Sequence, residues 1–190
     1  MPILGIMASA MSANLWQPQG AYDALSTVTV PSGGVASITF AAIPTGYKHL
    51  QVRGIAQSNR GTFVKDDLGI QVNGDTGSNY AWHVLTGNGS TAAASATAST
   101  TNMTFWDYIG TQVTFSKFGG FVIDILDYSS INKNKTFRGL GGTDANGSGS
   151  IGFNSGLWMN ASTAINTISL YSNTSSTLQQ HTQFTLYGVK

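Results

Sequence analysis

Three histidines, His49, His83 and His181, are the first residues in this 190-residue chain whose type suggests chemistry, because imidazole is the commonest transition-metal ligand. Their spacing argues against a shared ion. No two fall within a short motif, and each belongs to a different strand-like run beside aromatic or amide neighbours. Acid–base catalysis would need paired carboxylates. Of only eight acidic residues, the main candidates are Asp66, Asp67, Asp75, Asp107, Asp124 and Asp127. Adjacent strand residues point to opposite faces, so Asp66 and Asp67 are not a ready dyad, and Asp124 and Asp127, three apart, also diverge. Structural pairing, not catalysis, is the expectation for Asp124 and Asp127. Serines are plentiful, but no Gly-x-Ser-x-Gly stands between a buried strand and a helix. Gly139-Leu140-Gly141-Gly142 lacks both the lysine of a phosphate loop and the helix that should follow it, and reads as a tight turn. The residues therefore supply no catalytic, cofactor-binding or metal-binding set, and the chain is not expected to be an enzyme.

Tryptophan offers a different chemistry, since an indole face can stack on a sugar ring. Trp82, Trp106 and Trp158 could build such a platform, although large aromatics in an all-strand protein more often fill the core. Trp82 and Trp158, with the polar stretches 86–101 and 141–150, are the candidate glycan contacts. Six Asn-x-Ser/Thr sequons, at Asn88, Asn102, Asn134, Asn146, Asn160 and Asn173, are expected by chance in a chain this rich in Asn, Ser and Thr.

The elements that must position these residues are strands. Gly119 to Tyr128, the longest nearly continuous apolar run, reads as a central strand covered on both faces. Asp124 inside it then needs a partner, for which Arg53 or Arg138 on a neighbouring strand is suited. Asp23–Val30 and Val35–Phe40, separated by Pro31-Ser32-Gly33-Gly34, predict a hairpin with one wet face. Tyr47–Ala56 alternates clearly. Leu68–Asn73 and Tyr80–Leu85 predict a second pair of strands around Asn73-Gly74. Residues 86–101, almost wholly Gly, Ser, Thr, Ala and Asn, predict a long surface loop. Aromatic-rich residues 103–109, Phe137–Leu140, Ile151–Asn160, Ala164–Tyr171 and Gln183–Val189 complete roughly ten strands with no helix in the body. Short strands with turn signals between them indicate an all-β sandwich or barrel.

Composition bounds the partners. Only 9% of residues are charged, against roughly 25% in ordinary domains, and a lone subunit with so little colloidal repulsion is expected to cover its surface with sister subunits or a larger assembly. The formal net charge is +1 and the nine basic residues are scattered, so nucleic acid is not an expected partner. There is no cysteine, which excludes disulfides and thiolate chemistry. The first fifteen residues contain an apolar stretch like that of a secretory peptide, but no Lys or Arg precedes the apolar part, Pro2 occupies the place of a basic region, and the stretch is too short to cross a bilayer. A membrane is not an expected partner. Residues 1–20 are read as an arm, extended or partly helical between Ile3 and Leu15, and residues 21–190 as one domain.

Ala42-Ile-Pro-Thr-Gly-Tyr-Lys-His-Leu-Gln-Val-Arg-Gly54, Asn73-Gly-Asp-Thr-Gly-Ser-Asn-Tyr80, Phe121-Val-Ile-Asp-Ile-Leu-Asp-Tyr128 with Asn132-Lys-Asn-Lys-Thr136, Gly156-Leu-Trp158 and Phe184-Thr-Leu-Tyr-Gly-Val-Lys190 together resemble a group of small virion structural proteins of tailed bacteriophages, many of them aquatic. The likeness spans nearly the whole chain, including its Met-Pro-Ile-Leu-Gly-Ile start, but brings no catalytic or binding residues with it. What the resemblance implies is a non-enzymatic component of a phage particle, tail-fibre-like or decorating the capsid. With the strand pattern, it leads to the expectation of an antiparallel β-sandwich of jelly-roll type, a homotrimer on the virion surface. The arm would anchor it to capsid or tail proteins through Ile3, Leu4, Ile6, Leu15 and Trp16. The alternative expectation is a carbohydrate-binding module of a phage fibre that holds a host surface glycan.

Overall fold

A computed structural model describes residues 20–111 and 117–190. Among these residues every regular element is a strand. The strands are β1 (Tyr22–Thr29), β2 (Ser37–Phe40), β3 (His49–Ser58), β4 (Lys65–Val72), β5 (Tyr80–Gly87), β6 (Ala92–Thr100), β7 (Met103–Thr111), β8 (Gly119–Leu126), β9 (Lys135–Asp144), β10 (Gly149–Trp158), β11 (Ile168–Ser172) and β12 (Gln183–Val189). The fold class is all-β.

Hydrogen bonding links them in two runs. The longer is antiparallel throughout, in the order β1-β12-β3-β8-β9-β10-β5-β6. The shorter is β2-β11-β4-β7, also antiparallel. The runs join where Gln57 and Ser58 of β3 lie parallel to Gly110 and Thr111 of β7, which makes one mixed twelve-stranded sheet. β7 also lies across the faces of β8, β9, β10 and β5. Nearly every residue of β7 is consequently buried. Its Phe105 and Tyr108 pack with Phe121 of β8 and Phe184 of β12 in a chain of rings whose centroids are 5.4 to 5.6 Å apart.

The glycines of β9 follow from that crossing. A Cβ on Gly139 would meet the Phe105 ring at 2.8 Å, and one on Gly141 the Tyr108 ring at the same distance. Gly139-Leu140-Gly141-Gly142 is therefore a strand over which an aromatic strand passes closely, and not a turn.

Several pairings differ from the sequence expectation. β1 and β2 do not form a hairpin. The chain at Val30 and Val35 instead bonds to Thr182 and Leu178, so the two strands diverge into different runs. β4 and β5 likewise separate, β4 between β11 and β7 and β5 between β10 and β6. Residues 92–100 are no loop but β6, because backbone pairing to β5 needs no apolar pattern. The strand covered on both faces is β7; β8 alternates, with Phe121, Ile123 and Ile125 inward and Val122 outward. Asp124 points outward as well and accepts a 2.7 Å hydrogen bond from Gln51 Nε2, while Arg53 Nε donates to Gln51 Oε1 at 2.5 Å. Arg138 stands beside Asp124 in register. The partner that Asp124 needs is an amide, and a solvated face asks for no buried ion pair.

Candidate functional site

A bulge in β7 builds a polar cleft. Pairing with β4 runs Asp66 to Ile109 and then Leu68 to Phe105, so the three residues Trp106, Asp107 and Tyr108 stand against Asp67 alone. Asp107 takes a φ of +67°, a conformation uncommon for residues other than glycine. Extra residues of this kind re-aim side chains. Here they turn Trp106 and Asp107 into a cleft of about 300 Å³ shared with Arg60, Phe63, Lys65, Asp67 and Thr86.

The charges in and under this cleft form one network. Lys65 Nζ lies 2.7 Å from Asp107 Oδ2 and 3.1 Å from Ser150 Oγ, and Ser150 donates to the same carboxylate oxygen at 2.5 Å. Asp107 N donates to Asp67 Oδ1 at 3.0 Å. Burial pushes the Asp67 carboxyl above the ordinary aspartate range, and the neighbouring Asp107 and Asp66 charges add to it, against the hydrogen bond from Asp107 N and the more distant Arg60. Beneath, Asp66 is fully buried and accepts from Ser58 Oγ at 2.7 Å, Ser172 Oγ at 2.6 Å, Thr174 Oγ1 at 2.9 Å and Asp67 N at 2.8 Å. Arg60 approaches Asp66 at 3.5 Å and lays its guanidinium 4.1 Å from the centre of the Phe63 ring. Asp66 and Asp67 do face opposite ways, the first into the β3–β11 interior and the second to the cleft.

The two tryptophans singled out from sequence have different fates. Trp158 is 1% exposed, donates its Nε1–H to Asp75 Oδ2 at 2.8 Å and packs under the buried Lys135 ammonium. It cannot stack on a sugar, which corrects that expectation; a bulky ring at the end of an inward-facing β10 row is core. Trp82 is half-buried on β5 with its ring tilted against Trp106, centroids 5.7 Å apart. Its Nε1 is buried without a hydrogen-bond partner among the described residues. Trp106, in the cleft wall, is the indole that meets the polar network. No residue type singles it out beforehand, since no glycine or proline marks the bulge.

The remaining candidates are dispersed. His49 Nδ1 accepts from Asp127 N at 2.9 Å, while His83 and His181 are exposed on other elements. Among the described residues no group of three or more His, Cys, Asp or Glu side chains could hold a metal ion. Asp127 pairs with Lys133 at 2.5 Å. Asp75 receives Trp158, Asn79 and Gly77; burial pushes its carboxyl up, but these hydrogen bonds together outweigh it and leave the group below its ordinary value. The anchoring residues Ile3, Leu4, Ile6, Leu15 and Trp16 lie outside the described residues.

A second surface departs from the usual rule. The outward positions of β8, β9, β10 and β5 carry Val122, Leu140, Phe153 and Leu85, one register row across four strands, with Ala94 of β6 at its end. All four large side chains are exposed, Phe153 by 62%. Antiparallel sheets ordinarily turn polar residues to a wet face.

No family model, curated protein or solved structure matches the chain.

Proposed function

We propose that the chain is a non-enzymatic structural protein of a tailed-phage virion: a jelly-roll β-sandwich on the particle surface, associated as a homotrimer and attached to capsid or tail proteins by residues 1–20. The observation that carries this reading is the strand order. The first four strands of the long run, β1-β12-β3-β8, and the short run, β2-β11-β4-β7, support the jelly-roll reading, because winding up a double Greek key would pair strands in these orders. Strands β5, β6, β9 and β10 then widen one sheet. Jelly rolls of this kind recur in viral capsid and lectin domains. The likeness to phage virion proteins, the scarcity of charge and the apolar row on the open sheet face support the same reading.

Two measurements test it. The first locates the protein in intact particles by cross-linking mass spectrometry, with neighbours among capsid or tail proteins as the expected result. The second deletes residues 2–20; the body should fold and remain soluble yet fail to incorporate. Normal incorporation of the truncated chain would refute the role given to the arm.

A carbohydrate-binding module is the second reading, and one observation favours it: Trp106 stands in a cleft with Arg60, Lys65, Asp67 and Asp107, an aromatic wall beside hydrogen-bonding charges. Glycan-array binding that Trp106→Ala abolishes and Trp158→Phe leaves intact is the outcome expected of this reading.

A further inference from the structure

We infer that the open face of β8, β9, β10 and β5 is a two-fold docking surface for a second copy of this chain. The first ground is the row itself. Val122, Leu140, Phe153 and Leu85 are Cα partners in sequence across four adjacent strands, and Ile55 and Ile151 flank them one row further along, likewise exposed. Scattered surface apolar residues need no account; a contiguous row does.

The second ground is self-complementarity, which selects a second copy over other occupants. Take a two-fold axis parallel to the strands, lying between β9 and β10. It sets β9 of one copy over β10 of the other and β8 over β5, at matching rows. Leu140 then faces Phe153, and Val122 faces Leu85. One row along, the protruding Ile151 faces Gly142, in the glycine-lined hollow between residues 87–89 and the β9–β10 hairpin. On the other side of the apolar row, Asp124 faces His83 and Arg138 faces Ser155, so no like charges meet. An axis moved by one strand would lay Arg53 over Phe153 and Thr185 over Leu85, wasting half of the apolar row. Sheets packed face to face stand about 10 Å apart with their strands nearly aligned, which this arrangement satisfies.

The contact goes beyond the virion reading and does not rest on it. Combined with a three-fold axis that it meets at a right angle, it would join subunits of different trimers into a closed hexamer of dihedral symmetry; without three-fold association it gives a dimer.

Sedimentation velocity of the full-length chain over a range of concentrations tests the inference. The expected result is an even-numbered species. Val122→Glu and Leu85→Lys, each at an exposed position, should each weaken the association at least about tenfold while circular dichroism stays unchanged. Mixing the two variants should restore it, because residue 122 of one copy meets residue 85 of the other and the mixed pair holds one Glu–Lys contact and one native Val–Leu contact. A wild-type chain that is only monomeric or trimeric overturns the inference, as does association that survives both variants, the result expected if edges of β6 pair or residues 1–20 mediate it. Weakening by each variant without recovery on mixing overturns the two-fold register. None of these results depends on incorporation into particles, so the virion reading stands or falls separately.

Discussion

The interior around Asp66 and the open face around Phe153 reverse the ordinary placement of charge and hydrocarbon. Asp66 is fully buried and holds three hydroxyls, one backbone amide and an arginine, while Phe153 of the same molecule is mostly in water. The buried carboxylate ties β3 and β4 to the turn after β11, elements far apart in sequence, and its two oxygens accept from three hydroxyls, a backbone amide and a guanidinium. The exposed ring contacts little of its own subunit. The difference teaches which residues answer to the fold and which to something outside it: polar atoms inside this chain are structural, and apolar atoms outside it are available for contact.

Breaking the inner member should be the most damaging change. Asp66→Ala leaves Ser58, Ser172 and Thr174 without this acceptor and removes the carboxylate that Arg60 pairs with. Loss of one partner from a buried charged network is expected to destabilise by about 3–5 kcal/mol, read as a lower midpoint in urea unfolding. A drop under about 1 kcal/mol would mean that water replaces the carboxylate and that the network is incidental.

Next in size is an intrusion on the inner side of the sheet. Gly139→Ala places a methyl group 2.7 Å from the Tyr108 hydroxyl and 2.8 Å from the Phe105 ring. Overpacking of this kind costs about 1–3 kcal/mol. Gly120, in the same sheet but with nothing near its outward Cβ, provides the control: Gly120→Ala should leave the unfolding midpoint nearly unchanged.

The two sides of this comparison were unequally legible in the sequence. Alternation in Tyr47–Ala56 located β3, whose Leu50 and Val52 are buried while Arg53 is exposed, and the apolar Phe184 and Leu186 located β12. Partners were not legible. β1 pairs with β12, about 160 residues away, and periodicity reports a strand's faces without naming its neighbour. β6 was hidden because its Ala, Ser and Thr side chains are largely exposed on both faces and only its backbone commits it to the sheet. The apolar run of β8 suggested burial on both sides, whereas its outward Val122 belongs to the row of the open face; a side chain that awaits a contact outside the subunit looks, in sequence, like one that has found it. Among the site residues, Trp158 and Trp82 were distinguished only by the strand rows they occupy, and the β7 bulge that turns Trp106 and Asp107 into the cleft has no glycine to announce it.

A smaller change sharpens the comparison in the cleft beside Asp66. Burial raises the carboxyl of Asp67, with the Asp107 and Asp66 charges adding to it, so the folded state disfavours ionisation more than the unfolded chain does. Stability at neutral pH is therefore reduced by this group, and the reduction disappears as the pH falls through the raised folded value towards the unfolded value of about 3.9. Asp67→Asn keeps the Oδ1 acceptor for Asp107 N and removes the charge. It should raise the urea midpoint at pH 7, with the advantage over the wild type vanishing below about pH 4. An unchanged midpoint at pH 7 would show that Arg60 and solvent already neutralise the group.

The smallest effect is expected at the outer member of the pair. Phe153→Ser removes the most exposed ring of the face, and surface substitutions away from special features fall within about ±0.5 kcal/mol. The stability of the isolated subunit should therefore barely move, and measurement at a protein concentration low enough to suppress association is what makes the result meaningful. A loss above 1 kcal/mol under those conditions would mean that the ring already packs within its own copy, and the contrast between a fold-bearing interior and a contact-bearing exterior would collapse. A midpoint that is insensitive to the substitution when dilute, but falls with it when concentrated, would tie the exposed row to mass action: the face then contributes to stability only through what binds it.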